Sequence, residues 1–209
     1  MKRIFFIFSG LVISVFFILS FYPLSAAEQP VRILFLGDSL TAGLGVEPEE
    51  AYPSVIQKML DEKQIRHITL TNSSISGSTS ASAVSRLKWH LKAKPDMMVL
   101  ALGANDGLRG LSTDEMEKNL DTAIVLAKEH NIRVILAGMQ IPPNYGPEYT
   151  DAFRDVFSSL AKKHKLSFIP FLLKDVAGNP SLNQADGIHP NAEGHRIIAA
   201  HVLPFILEK

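Results

Sequence analysis

Five short apolar runs punctuate the chain, at residues 31–36, 67–71, 97–102, 133–137 and 166–171. Several are rich in Val, Ile and Leu with little polar alternation, the pattern of parallel strands buried on both faces. Between the runs the apolar spacing changes to three and four residues. Met116, Leu120, Ile124 and Ala127 fall on one helical face, and Ser112 with Glu115 forms a candidate capping box ahead of them. The same periodicity predicts helices over 52–63, 81–91, 148–163 and 191–207. Strand and helix alternate five times, which predicts a doubly wound α/β sandwich with right-handed crossovers. No internal repeat or linker interrupts it.

The first residues follow a different pattern. Lys2 and Arg3 precede an apolar run over 4–21, and Pro23, Ser25, Ala26 and Ala27 form a small-residue segment. This is the layout of an export signal cut after Ala27, leaving 28–209 as one domain outside the cytoplasm. An uncleaved anchor is the competing reading, because the run reaches the lower limit of roughly 17 residues for a spanning helix. Ser9, Gly10, Ser14 and Ser20 weaken such a span. The remaining composition mainly excludes. Lysine plus arginine number 21, as do aspartate plus glutamate, so no global basic field invites nucleic acid. The chain has no cysteine, which removes disulfides, cysteine zinc clusters and thiol nucleophiles.

In a parallel sheet every strand ends along one edge, and ligands bind in the crevice outside it. Every notable motif falls on that edge. Gly37-Asp38-Ser39-Leu40 follows the first run, and a serine-rich stretch from Asn72 to Thr79 follows the second. Gly103-Ala104-Asn105-Asp106 follows the third, a loop from Met139 to Gly146 follows the fourth, and Asp186-Gly187-Ile188-His189-Pro190 lies beyond the fifth. Ser39 has the surroundings of a nucleophile, although Asp38 or Ser39 would serve equally as a helix cap. Asp186 and His189 are three apart, so a helical turn would place them on one face, with Pro190 at the first helical position and the carboxylate orienting the imidazole. Gly77 lets a backbone amide approach a ligand closely, and Asn105 supplies a side-chain amide donor; both are also ordinary turn residues. His189 and His195 are six apart and lack a ligand cluster, so no metal is expected. Gly43-Leu44-Gly45 is only a fragment of a dinucleotide fingerprint, and no cofactor is expected. The serines from 73 to 85 read as caps and turn formers, and His67, His90, His130, His164 and His201 as solvated or packed. Trp89, Phe153 and Phe157 read as core aromatics of helices.

Taken in order, the blocks at Ser39, Gly77, Asn105 and Asp186–His189 resemble those of the SGNH (GDSL) hydrolases, over nearly the whole domain. Asn105 to Gly110, Pro143 to Gly146 and Asp186 to Asn191 are most similar to the exported thioesterase and arylesterase branch of that family. The resemblance implies a three-layer α/β/α sandwich with a five-stranded parallel, flavodoxin-like sheet. It further implies a monomeric, cofactor-free serine hydrolase of small acyl esters and thioesters, with aryl esters and lysophospholipids among them. Ser39 would be the nucleophile, His189 the base and Asp186 its orienter, with the Ser39 and Gly77 amides and the Asn105 side chain as oxyanion donors. Asp38, Leu40, Ser78, Ile141, Pro143 and Tyr145 would border the substrate. Position 78 is Ser where many close relatives carry an acidic residue, a departure that bears on substrate preference. A carbohydrate O-acetylesterase, using the same blocks on a shorter acyl group, and a noncatalytic acyl- or lipid-binding module are the alternatives.

Overall fold

The computed structural model describes residues 29–208; the expected leader, 1–27, lies outside the described residues. Five strands form one sheet: β1 (Val31–Gly37), β2 (Ile68–Asn72), β3 (Met97–Ala101), β4 (Arg133–Ala137) and β5 (Ser167–Ile169). Their order is β2-β1-β3-β4-β5 and every pairing is parallel. β3 is buried along its full length and β1 from Ile33 onward, as strands covered on both faces must be. The register sets Ile33 beside Met97, Phe35 beside Val99 and Gly37 beside Ala101, so the two central strands end side by side.

Among the described residues seven α-helices complete the layers: α1 (Ser39–Ala42), α2 (Tyr52–Glu62), α3 (Ala83–His90), α4 (Ala104–Leu108), α5 (Thr113–Glu129), α6 (Pro147–His164) and α7 (Ala192–Leu207). α2 packs on α7 over one face, and α3, α5 and α6 pack in a row over the other. The buried stripe of α5 is Met116, Leu120, Ala123, Ile124 and Ala127, and Ser112 caps it by accepting from the Glu115 amide at 3.3 Å. Phe153 and Phe157 on α6 bury completely and meet edge to face at 5.4 Å.

Three elements differ from the sequence expectation. β5 spans three residues because Pro170 has no amide with which to extend the ladder. Trp89 is 77% exposed rather than core: it stands on the outer side of α3, whose buried positions are Ala83 and Leu87. α7 starts at Ala192, not at Pro190, because Asn191 takes the capping position and accepts from the amides of Glu193 and Gly194 at 3.1 Å each. His189 is therefore a loop residue.

Candidate active site

β1 has its sheet neighbours β2 and β3 on opposite sides, which makes its C-terminal end the place where the strand order reverses. The chain turns sharply there. A Cβ at Gly37 would lie 2.3 Å from Thr41 Oγ1, so no other residue fits without displacing α1. The Gly37 amide donates to Ser74 Oγ at 3.1 Å, and its carbonyl accepts from the Ile75 amide at 3.2 Å and from Arg86 Nη1 at 3.0 Å. A second arm of the Arg86 guanidinium reaches the Ser73 carbonyl. Asp38 caps α1 through a 3.1 Å bond from the Leu40 amide to its carboxylate. Ser39 consequently opens the helix with its side chain facing the crevice.

His189 Nε2 lies 3.0 Å from Ser39 Oγ, and His189 Nδ1 lies 2.7 Å from Asp186 Oδ2. The other Asp186 oxygen accepts from the amides of Ile188 and His189, at 3.0 Å each. The three-residue spacing therefore works through a carboxylate-anchored turn, with Gly187 at φ 76°, rather than through a helical turn. These two amides and the imidazole beside the carboxylate hold the Asp186 pKa down at about 2. Asp38 behaves in the opposite sense: burial raises its pKa to about 6, against the Leu40 amide and the Asn105 side chain, which lower it.

α4 carries Asn105 to the same crevice. Its Nδ2 donates to the Ser78 carbonyl at 3.1 Å and approaches Asp38 Oδ2 at 3.4 Å. The neighbouring Asp106 is buried and accepts from the Ser80 amide at 2.8 Å and the Ser80 hydroxyl at 2.6 Å, while Asn119 Nδ2 donates to that hydroxyl at 3.1 Å. Ser80, which reads in the sequence as a simple turn former, thus fastens α4 to the loop after β2. Arg109 Nη2 donates to the Gly77 carbonyl at 2.9 Å across the same junction.

A cavity of about 530 Å³ opens beside Ser39, Asn105 and His189. Leu40, Ile141 and Pro143 line it, and Leu108, Met139, Phe171 and Leu173 add an apolar wall. Asp38, Ser78 and Tyr145 lie outside the lining. Asp38 is buried under α1, Ser78 supports Asn105 through its carbonyl, and the Tyr145 hydroxyl donates to the Leu108 carbonyl at 2.7 Å. Gly77 also falls outside the lining. Behind the turn that carries Ser39, His195 is buried against Tyr52, its ring 6.3 Å away and nearly parallel, and its Nδ1 accepts from the Tyr52 amide at 3.2 Å. Burial presses its pKa down to about 4, as suits a neutral packing group. His90 and His164 have partners as well, Ser73 Oγ at 2.6 Å and Asp121 at 2.5 Å, which sequence spacing did not reveal.

A family model described as the GDSL-like lipase/acylhydrolase family matches residues 35–197. Esterase TesA of Pseudomonas aeruginosa is 38% identical over 86% of this chain and 88% of its own. The Escherichia coli protein named thioesterase 1/protease 1/lysophospholipase L1 is 35% identical over 88% of this chain and 86% of its own. A crystal structure of the psychrotrophic esterase EstA from Pseudoalteromonas, inhibited by monoethylphosphonate, superposes with a TM-score of 0.80 at 35% identity, covering 84% of this chain and 96% of that one.

Proposed function

The chain belongs to the GDSL-like lipase/acylhydrolase family, and from that premise we propose that it hydrolyses carboxylic esters and acyl thioesters through an acyl-enzyme on Ser39. The observation that carries this reading is the continuous row Ser39 Oγ, His189, Asp186, at 3.0 and 2.7 Å, opening onto an apolar cavity. His189 Nε2 takes the proton as Ser39 Oγ attacks the acyl carbon, and the carbonyl oxygen becomes an oxyanion. Collapse breaks the bond to the leaving oxygen or sulfur, which His189 protonates. Water then repeats the sequence: His189 removes its proton, the hydroxide attacks the acyl carbon, and Ser39 leaves with the returned proton. Asp186 stays ionised throughout, fixing the tautomer that leaves Nε2 free to accept and stabilising the imidazolium when it forms.

The oxyanion donors are the Ser39 amide, the Gly77 amide and Asn105 Nδ2. Of the two Asn105 contacts the one to Asp38 is the long one, so that hydrogen turns to the developing charge while the bond to Ser78 holds the amide in place. The acyl chain lies along Leu108, Met139, Ile141 and Phe171; such a wall suits a hydrocarbon and gives a sugar few polar contacts. Aryl esters, acyl thioesters and lysophospholipids are the substrate classes that fit. The enzyme works as a monomer, without nucleic acid. Export with cleavage after Ala27 completes the proposal, supported by Lys2, Arg3 and the apolar run before Pro23; among the described residues no helix is long and apolar enough to cross a membrane.

Initial rates on p-nitrophenyl acetate, butyrate, octanoate and palmitate test the reading. Wild type turns over in EDTA with a preference for the longer chains, and Ser39→Ala and His189→Ala abolish turnover while leaving circular dichroism unchanged. Near-normal activity in both variants would overturn the mechanism, and a strict preference for acetate would move the enzyme to the acetylesterases. The intact mass of exported protein checks the cleavage site.

A further inference from the structure

The chain's formal charge balances to zero, yet its charges are unevenly placed: from Lys63 to Pro95 there is no Asp or Glu, while Lys63, Arg66, Arg86, Lys88, Lys92 and Lys94 all fall within that stretch. Arg86 turns inward to the Gly37 and Ser73 carbonyls; the other five are exposed, and none forms an ion pair with another described residue. Of the acids that bound the stretch, Asp96 is occupied by Arg32 at 3.1 Å, while Asp61 and Glu62 stand exposed before Lys63 at the end of α2. Topology gathers the five cations. Lys63 and Arg66 lead into β2, while Lys92 and Lys94 lead into β3, so all four sit at the N-terminal edge of the sheet, opposite the candidate active site. Val31 donates its amide to the His67 carbonyl, and Arg32 Nη1 donates to the Ala93 carbonyl at 3.0 Å, which ties both approaches to the start of β1. Ser85, Lys88, Trp89 and Lys92 make one exposed stripe along α3 and the turn after it, and at its middle the indole stands 77% in solvent.

We propose that this face docks on a bilayer surface rich in anionic phospholipid. Each lysine or arginine near such a surface is attracted to it, and an exposed tryptophan places its amphipathic ring at the level of the headgroups. The two signals are independent and reinforce each other. The site is separate from the hydrolytic one, since none of these residues lines the cavity. The described chain begins at Gln29 and enters β1 at Val31 on this same edge.

Sedimentation with vesicles tests the proposal, using protein recovered from an exporting host. Vesicles of phosphatidylcholine alone are compared with vesicles carrying about one-third phosphatidylglycerol. Wild type is expected to bind the anionic vesicles and to be released from them by high salt. One cation near the surface is worth about fivefold in affinity, so Lys88→Gln/Lys92→Gln binds about 25-fold more weakly. Trp89→Ala weakens binding at every salt concentration. Hydrolysis of a soluble p-nitrophenyl ester is unchanged in all variants, which shows that they fold. Equal binding to both kinds of vesicle, or undiminished binding by the double variant, would overturn it.

Discussion

Two carboxylates near Ser39 carry opposite electrostatic loads. Asp186 accepts two amide hydrogens and an imidazole, so its pKa near 2 keeps it ionised over any working pH. Asp186→Asn should lower kcat by roughly 10² to 10⁴-fold, since a neutral amide neither fixes the tautomer nor stabilises the imidazolium. A loss under about threefold at neutral pH would remove Asp186 from the mechanism. Asp38 is buried and its pKa stands near 6, against 3.8 for the free side chain. Below pH 3.8 both the folded and unfolded chains hold this proton and it contributes nothing. Between 3.8 and 6 the unfolded chain releases it while the folded one retains it, so folding loses ground as pH rises, by about 3 kcal/mol once both are ionised. Asp38→Asn keeps an oxygen for the Leu40 amide and removes the ionisation. Its stability relative to wild type should grow from near zero at pH 4 to about 3 kcal/mol at pH 7, as read by urea denaturation at each pH.

The strands deliver chemistry to one edge, but it is the cross-links between loops that set the distances. Gln184 Nε2 donates to the Leu44 carbonyl at 2.6 Å and to the Pro190 carbonyl at 2.9 Å, joining the loop that carries His189 to the loop that follows Ser39. Gln184→Ala should cut kcat about tenfold with KM little changed, because a small misplacement of base and nucleophile costs rate rather than binding. Equal kcat in the variant would show that the imidazole is held by Asp186 alone. Such cross-links explain what could be read in advance. β1, β3 and the stripe of α5 were legible because burial on both faces, or on one, leaves a local period in the sequence. The Asp186–His189 pairing was legible as a spacing, yet the turn that achieves it was not, because an aspartate accepting from following amides uses the same three residues as a helical turn. Ser80 holding Asp106, and the cavity wall at Phe171 and Leu173, join residues far apart in the chain and leave no local signature. Trp89 departs from the core expectation because an aromatic at helical spacing says nothing about which side of the helix the sheet will cover.

At the scale of the whole molecule, the apolar wall is assembled from segments after β3, β4 and β5, so one side chain at its rim can shorten it. Ile141→Trp should leave p-nitrophenyl acetate hydrolysis within about twofold and lower the octanoate rate by about tenfold or more, the discrimination a few methylenes command in a tight pocket. An unchanged chain-length profile would place the acyl group elsewhere. The sheet order has a temporal consequence too. Ser39 and His189 are 150 residues apart in the chain. A chain translated through Leu166 holds Ser39 and its turn but not His189, so on the proposed mechanism it is inert toward acyl thioesters. On the proposed mechanism, hydrolytic competence waits until the loop beyond β5 brings His189 to Ser39.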